Sequence, residues 1–205
     1  MTLPKPYYSE AGITIYHGDC REFLPHIGRF DGLLTDPPYG HGDKWSGGTW
    51  ASNEIYDAAF EWDAQTVEQA LLDACVAAAT NAIVWGGNYY RMAPARCWLS
   101  WVKTSRMTTM ADFELAWTNL DRPAKLFEED RNPDGKRVHP TQKPLRLFRW
   151  CLEMLQAKSV VDPFMGSGTT LRAAKDLGIA AVGIDKRERY CEMAVKRLRQ
   201  EVLFT

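Results

Sequence analysis

The sequence predicts an α/β fold with a Rossmann-like, doubly wound and mostly parallel sheet. Short apolar runs of strand length alternate along the chain with longer segments whose apolar residues recur at helical spacing. Glycines and aspartates follow several of the predicted strands, which is where ligands bind in open parallel sheets. We expect residues 1–205 to form a single domain, with a modest insertion.

The first half of the chain predicts five strands and one helix. Alternating or continuous apolar runs that end in turn residues predict strands at residues 12–17, 31–35, 82–85, 97–103 and 112–118. The second of these strands must end before Pro37 and Pro38, because proline cannot donate to a sheet. Residues 65–79 repeat apolar positions at helical spacing and predict a helix.

The second half continues the alternation after one irregular segment. Residues 119–138 are polar, charged and rich in turn residues, which is typical of loops. Pro144 suits the first turn of a helix, and the apolar residues after it recur on one face. A strand, a helix, a strand and a helix are then predicted at residues 159–161, 169–177, 180–184 and 188–203.

The composition predicts a cytoplasmic protein without a metal site. No apolar run approaches the ~18 residues that span a membrane, and the N-terminal residues lack a secretory signal. The five cysteines are odd in number and none has CxxC spacing, so they suggest neither zinc nor a disulfide framework. We expect most of them to be small, reduced core residues.

The net charge of −1 conceals a basic segment. Residues 1–90 hold 4 Lys and Arg against 12 Asp and Glu, whereas residues 91–150 hold 12 against 7. The basic segment also carries four tryptophans, so one interpretation is a surface that binds nucleic acid. A solvated basic face explains the charges equally well. The candidate phosphate contacts are Arg91, Arg96, Lys103, Arg106, Lys136 and Arg137.

Residues 162–170, Asp-Pro-Phe-Met-Gly-Ser-Gly-Thr-Thr, form a glycine loop between a predicted strand and a predicted helix. The loop lacks the lysine of a P-loop and the third glycine of the dinucleotide motif. Asp185 closes the next predicted strand, where an acid can accept hydrogen bonds from ribose hydroxyls. The arrangement predicts a ligand that has a ribose and no pyrophosphate, with a tight structural turn as the alternative.

The tetrapeptide Asp36-Pro37-Pro38-Tyr39 suits the methylation of an aromatic amine, whose lone pair is delocalised into its ring. Hydrogen bonds to Asp36 and to the Pro37 carbonyl would localise that pair, and Asp36 would stabilise the charge that develops on nitrogen. Tyr39 offers a face for a base turned out of its duplex. The alternative interpretation is a plain turn at a strand end, capped by an aspartate.

The predicted strand ends are expected to meet at one edge of the sheet. Asp19, Asp36, Asp162 and Asp185 each follow or close a predicted strand. In an open parallel sheet, ligands bind beyond the carboxyl ends of the strands. We therefore expect these four carboxylates to surround one site.

With its motifs in this order, the chain resembles the β-class of amino DNA methyltransferases, which modify adenine N6 or cytosine N4. The tetrapeptide comes first, and His139-Pro140-Thr141-Gln142-Lys143-Pro144 leads into the glycine loop and Asp185. The resemblance covers residues 12–40 and 139–200. It implies a methyltransferase fold with a permuted motif order, S-adenosylmethionine as cofactor, DNA as partner, homodimerisation, and a prokaryotic or phage origin with a role in restriction and modification.

The resemblance also implies a role for each motif. The catalytic residues would be Asp36, Pro37, Pro38 and Tyr39. The residues that it implies at the cofactor are Asp19 and Cys20 near the adenine, Thr141 and Lys143 at the methionine carboxylate, Asp162, Phe164, Gly166, Ser167, Gly168 and Thr169 in the glycine loop, and Asp185 at the ribose.

Residues 91–138 are the presumed target-recognition insertion, and the shortness of this segment predicts a short or loose recognition sequence. Asp at the first position of the tetrapeptide favours adenine N6, with cytosine N4 as the alternative. Trp45 and Trp50 are candidates to cover the flipped base. Two competing hypotheses are an RNA base methyltransferase and a binding module that retained the cofactor fold.

Overall fold

The computed structural model describes residues 4–41, 65–105, 111–130 and 143–200. In these ranges the strands are β1 (Tyr8–Glu10), β2 (Ile13–His17), β3 (Phe30–Thr35), β4 (Ala79–Trp85), β5 (Trp98–Lys103), β6 (Phe113–Thr118), β7 (Lys125–Glu129), β8 (Ser159–Asp162) and β9 (Ala180–Asp185). The helices are α1 (Cys20–Phe23), α2 (Gln69–Ala77), α3 (Leu145–Leu155), α4 (Thr169–Asp176) and α5 (Glu188–Arg199). A 3₁₀ helix spans Gly87–Tyr89.

All nine strands belong to one sheet, in the order β1-β2-β9-β8-β3-β4-β6-β5-β7. Every neighbouring pair from β2 to β4 is parallel. β6 then runs antiparallel to both β4 and β5, and β7 runs parallel to β5. The prediction of a mostly parallel α/β sheet is confirmed.

Helices cover both faces of this sheet, and each face has its own hydrophobic cluster. One cluster packs α3, α4 and α5 against the sheet through residues such as Leu152, Leu171 and Cys191. The other packs α1 and α2 through Phe23 and Leu72. Burial on both faces explains why the central parallel strands read as nearly continuous apolar runs.

The predicted strands and helices are all present, but the irregular segment 119–138 contains a strand that the sequence did not predict. This strand, β7, has the polar sequence Lys-Leu-Phe-Glu-Glu and, among the described strands, pairs with β5 alone at the edge of the sheet. A short and charged edge strand protects a sheet from unwanted pairing, so its composition resembles that of a loop. β1, α1 and the 3₁₀ helix were also not predicted.

The presumed target-recognition insertion contributes three strands to the sheet. β5, β6 and β7 all lie within residues 91–138, and Leu99, Ala116 and Trp117 in them are buried. Within the described ranges, no helix is both long enough and apolar enough to cross a bilayer. In the same residues, no group of three or more His, Cys, Asp or Glu side chains is arranged to hold a metal. All five cysteines are buried free thiols.

Candidate active site

Four adjacent strands end at the same edge of the sheet, and each end carries an aspartate. β2, β9, β8 and β3 are neighbours and run parallel, so their carboxyl ends lie side by side. Asp162 and Asp185 are the last residues of β8 and β9. Asp36 follows β3 directly, and Asp19 lies two residues beyond β2. The fold therefore brings together the four carboxylates that were expected to meet.

The Asp36 carboxylate receives a different donor on each oxygen. The Tyr39 hydroxyl donates to Oδ1, and the Lys143 ammonium lies 2.5 Å from Oδ2. Burial raises the pKa of Asp36 above its ordinary value, although the Lys143 charge and the Tyr39 hydroxyl oppose the rise. The cation thus favours the ionised carboxylate, which is the form that can accept hydrogen bonds from an amine.

The two prolines after Asp36 have no backbone N–H, so these two residues offer only carbonyl oxygens. The Tyr90 hydroxyl donates to the Pro38 carbonyl, and the backbone N–H of Val67 donates to the Tyr90 hydroxyl at 3.4 Å. A side chain from beyond β4 therefore holds the backbone of the turn in place. The predicted hydrogen bond from a base to the Pro37 carbonyl stays a prediction.

The Tyr39 ring belongs to a small aromatic group at the mouth of the site. It stacks on Tyr89 with ring centroids 4.9 Å apart and an interplanar angle of 27°. His41 meets Tyr89 edge to face at 4.6 Å. Gly86 has a φ of +67°, and a Cβ at that residue would lie 2.0 Å from the Tyr39 ring. Glycine is required at Gly86 because the tyrosine ring takes the place of a side chain.

Asp162 anchors the glycine loop from inside. Its Oδ1 accepts from the Thr35 hydroxyl at 2.8 Å and from the Phe164 backbone N–H at 3.1 Å, and its Oδ2 accepts from the Thr170 hydroxyl. Burial raises the pKa of Asp162 to about 7, despite these hydrogen bonds. Because Thr35 precedes Asp36, the same network joins the turn after β3 to the glycine loop.

Asp185 borders the other side of the glycine loop. Its Oδ2 accepts from the Gly166 backbone N–H at 3.0 Å, and its Oδ1 accepts from the Arg187 backbone N–H at 2.9 Å. Burial raises the pKa of Asp185 to about 6. A Cβ at Gly166 would meet nothing within 4 Å, so the loop backbone faces open space beside this carboxylate. Each oxygen has two lone pairs and can accept a further hydrogen bond from a ligand.

The chain matches a known family of DNA-modifying enzymes. Residues 79–196, more than half of the chain, match the model of the N6/N4 methyltransferase family, which is described as DNA methylase. The protein belongs to the N6/N4 DNA methylase family. M.HinfI of Haemophilus influenzae, a type II methyltransferase, is 41% identical over 75 residues, which cover 36% of this chain and 21% of M.HinfI. M2.DpnII of Streptococcus pneumoniae, also a type II methyltransferase, is 26% identical over 98% of this chain and 95% of its own length.

Two solved structures of methyltransferases have the same fold as this DNA methylase. The crystal structure of the M1.HpyAVI–SAM complex aligns with a TM-score of 0.60 and 22% identity, over 92% of this chain and all of that one. The PvuII DNA methyltransferase, which is cytosine-N4-specific, aligns with a TM-score of 0.65 and 16% identity, over 98% of this chain and 91% of that one. At these identities the likeness establishes the fold.

In this DNA methylase, the two residues predicted near the adenine of the cofactor, Asp19 and Cys20, differ in their exposure to solvent. Asp19 caps α1 and is partly exposed, with ion pairs to Arg21 and Lys186 at 2.9 Å each. Burial would raise the pKa of Asp19, but hydrogen bonds from Arg21 and Lys186 outweigh it and hold that pKa below its ordinary value. Cys20 is buried in the core, so its side chain faces apolar neighbours.

In the glycine loop, Phe164 and Ser167 are partly exposed at the edge where the parallel strands end, and Gly168 directly precedes α4. Thr169 requires a correction. It is buried, and its hydroxyl accepts from the Arg197 guanidinium of α5 at 2.8 Å. The side chain therefore faces the neighbouring helix and does not face the open side of the loop. Thr141 lies outside the described residues.

Two lysines make contacts that were not predicted. The Lys143 ammonium, expected at the methionine carboxylate, contacts Asp36 and lies 3.1 Å from the Tyr39 hydroxyl. Lys103, expected at a DNA phosphate, is buried and forms an ion pair with Glu114 at 2.6 Å. A lysine is buried in this way only when a carboxylate compensates its charge. The burial of Lys103 against Glu114 contradicts its predicted contact with a phosphate, whereas the contact of Lys143 with the methionine carboxylate stays a prediction.

The remaining candidate phosphate contacts are at the surface or outside the described residues. Arg91 is exposed, and Arg96 is exposed while it pairs with the equally exposed Asp121 at 2.9 Å. Arg106, Lys136 and Arg137 lie outside the described residues, as do Trp45 and Trp50. Contact with DNA stays a prediction for all of these residues.

Three residues near the turn after β3 were not predicted as parts of the site: Tyr89, Tyr90 and Glu114. Gly86-Gly87 followed by Tyr89 and Tyr90 was a usable signal, since two glycines and two aromatics directly follow a buried strand. Glu114 stands in an otherwise apolar strand, which indicates a partner of opposite charge. The identity of that partner could not be read from spacing.

Proposed function

We propose that this protein transfers a methyl group from S-adenosylmethionine to the exocyclic amino group of a base in DNA, with adenine N6 as the first candidate. One observation carries the proposal. The Thr35 hydroxyl donates to Asp162 at 2.8 Å, so the acceptor for the amine, Asp36, adjoins the loop for the methyl donor. Membership of the DNA methylase family supports the same reaction.

The glycine loop fits the proposed cofactor. The loop is open where a side chain at Gly166 would stand, Asp185 lies beside it, and the Phe164 ring is only partly buried. Asp185 would accept hydrogen bonds from the ribose hydroxyls, and Phe164 would cover the ligand. The solved neighbour M1.HpyAVI was crystallised with SAM. The cofactor would supply a methyl group on a positively charged sulfur.

The residues of this chain would prepare the amine for attack. Asp36 would accept a hydrogen bond from the amino group and keep its lone pair directed at the methyl carbon. The nitrogen would take the methyl group that bound S-adenosylmethionine would supply, and the bonding pair would stay with the sulfur. Asp36 would stabilise the positive charge on nitrogen and would accept the proton that the nitrogen then loses.

The target base requires a direct test. Asp at the first position of the tetrapeptide favours adenine, whereas the PvuII enzyme with the same fold is cytosine-N4-specific. Unmethylated DNA would be incubated with methyl-labelled cofactor and digested to nucleosides. We expect N6-methyldeoxyadenosine as the labelled product. Recovery of N4-methyldeoxycytidine alone would contradict adenine, and label in tRNA or rRNA without label in DNA would contradict a DNA substrate.

The Asp36→Asn substitution tests the proposed mechanism, because an amide keeps the shape of the carboxylate and loses its charge. We expect the single-turnover rate of methyl transfer to fall by about 100-fold or more, since both acid–base and charge stabilisation are removed. The far-UV circular dichroism spectrum should not change. The matched control is Asp73→Asn on the surface of α2, and a wild-type rate in Asp36→Asn would refute this role for Asp36.

We also propose that exposed parts of residues 91–138 contact the DNA, with Arg91 and Arg96 as phosphate contacts. Three strands of this segment belong to the sheet, so fewer of its residues are left to recognise DNA. This supports a short or loose target sequence. Mapping modified bases in DNA from cells that express the protein would identify the sequence. Homodimerisation, a cytoplasmic location and a role beside a restriction enzyme stay predictions.

A further inference from the structure

Four charged side chains form an alternating row that begins at the catalytic aspartate. Lys143 Nζ lies 2.5 Å from Asp36 Oδ2 and 3.1 Å from Glu114 Oε2. Glu114 Oε1 in turn lies 2.6 Å from Lys103 Nζ. Both lysine side chains are at most 7% exposed, and the side chains of Asp36 and Glu114 are 18% and 24% exposed. The proposed reaction uses Asp36, and it leaves Glu114 and Lys103 without a role.

The outer pair of this row, Glu114 and Lys103, comes from β6 and β5. Trp101 of β5 pairs directly with Glu114 of β6. Lys103 lies two residues beyond Trp101 and therefore points to the same face, as a diagonal neighbour of Glu114. The ion pair between Lys103 and Glu114 thus comes from the register of β5 and β6, and it fixes one oxygen of the Glu114 carboxylate.

The position of Lys143 creates a conflict with the proposed reaction. A target amine has to donate to Asp36 and becomes positively charged there, yet the Lys143 ammonium lies 2.5 Å from Oδ2 and opposes a second positive charge at that carboxylate. Moving a buried ammonium away from its counter-ion is costly unless another carboxylate receives it. Glu114 Oε2 is already within 3.1 Å of the same nitrogen.

We propose that Glu114 is a positioning residue that receives the Lys143 ammonium when the target amine binds to Asp36. Lys103 holds the other oxygen of Glu114, so the receiving carboxylate stays in place. The Lys143 charge remains paired throughout, and the amine gains the Asp36 oxygen that the ammonium leaves. This inference rests on the proposed function, since it describes how the amine of a DNA base reaches Asp36.

The Glu114→Gln substitution tests this inference, because it removes the receiving charge and retains the shape of the side chain. Lys143 should then stay on Asp36 and compete with the amine. We expect the single-turnover rate of methyl transfer to fall by about tenfold. The cofactor dissociation constant, measured by calorimetry, and the DNA concentration at half-maximal rate should each change by less than about twofold, because the competition begins after both have bound.

A second variant covers the case in which Lys103, left without its counter-ion, prevents folding. The double variant Lys103→Met, Glu114→Gln removes both charges of the outer pair, which is less disruptive than removal of one. It should show the same loss of rate as Glu114→Gln. The control is Asp176→Asn, which removes the charge of a buried carboxylate that pairs with Arg149 of α3 and Arg172 of α4, and it should leave the rate of the folded protein unchanged.

The outcomes separate this inference from the proposed function. Failure of the wild-type protein to methylate DNA would contradict the proposed function. A wild-type protein that methylates DNA, together with an unchanged rate in Glu114→Gln or in the double variant, would overturn the inference alone. An equal loss of rate in Asp176→Asn would also overturn it, because any buried ion pair would then matter equally.

Discussion

The turn after β3 depends on residues that are distant from it in the sequence. The Asp36 carboxylate pairs with Lys143, which precedes α3. The Pro38 carbonyl accepts a hydrogen bond from the Tyr90 hydroxyl, which comes from beyond β4. Prolines restrict the turn, but they have no N–H that could donate to its carbonyls. A hydroxyl 52 positions away therefore helps to fix the geometry at which an amine would meet Asp36.

The Tyr90→Phe substitution tests the tether on Pro38. It removes one hydroxyl, so we expect the unfolding free energy to fall by about 1 kcal/mol and the methyl-transfer rate to fall by about tenfold as the turn loosens. Denaturant unfolding and single-turnover assays measure the two effects. The control is Tyr8→Phe, which removes a hydroxyl bonded to Glu10 at 3.0 Å on β1. Normal methyl transfer by Tyr90→Phe would mean that the turn keeps its geometry without the tether.

At the scale of elements, the 3₁₀ helix after β4 packs against the turn after β3. The two strands are parallel neighbours, so their carboxyl ends deliver both segments to the same edge. Gly86 permits this close packing, because the Tyr39 ring stands where its Cβ would be. Tyr89 then stacks on Tyr39 from within the 3₁₀ helix. The aromatic face predicted for a flipped base is thus built by two elements.

The Gly86→Ala substitution has a close control in Gly178→Ala. The two glycines have φ values of +67° and +68°, but a Cβ at Gly178 would meet nothing within 4 Å. Gly178→Ala should therefore lose only the cost of the left-handed conformation, about 1–2 kcal/mol. Gly86→Ala should lose a further 1–3 kcal/mol or so from overpacking, and its methyl-transfer rate should fall because Tyr39 is displaced. Equal effects of the two substitutions on stability and rate would show that Tyr39 can move without consequence.

At the scale of the whole molecule, the sheet buries carboxylates at one edge, and this affects stability. Burial raises the pKa of Asp162 to about 7 and that of Asp185 to about 6. A carboxyl group whose folded pKa is raised binds its proton more tightly in the folded protein than in the unfolded chain. Its contribution to stability is complete below the unfolded pKa of 3.8 and is lost as the pH rises towards the folded pKa.

The Asp162→Asn substitution isolates this effect. Between about pH 4 and pH 7, the wild-type protein should lose unfolding free energy relative to the variant by on the order of 1 kcal/mol per pH unit. Urea unfolding of both proteins across this range measures the difference. The Asp73→Asn variant, changed at the surface of α2, should keep the wild-type dependence on pH. A constant difference between the wild-type protein and Asp162→Asn would show that Asp162 does not change its proton affinity on folding.

Local sequence determined the elements and the motifs of this protein. Alternating apolar runs predicted the central strands, and residues with special backbone chemistry identified the turn at Asp36 and the loop at Gly166, because both signals act over a few residues. The edge strand β7 was not predicted, because its polar sequence reflects its place at the edge of the sheet. That place is set by the pairing of β5 with β6 and β7.

Only the tertiary structure decided which side chains meet. Lys143 and Asp36 are 107 positions apart, and Glu114 comes from a third part of the chain. Their contact depends on strand order and register, which spacing along the chain does not encode. The same reason accounts for Lys103 and Thr169, whose residue types suggested ligands and whose neighbours in the fold are Glu114 and Arg197. The sequence alone determined the chemistry at each strand end, and packing decided which partners each group has.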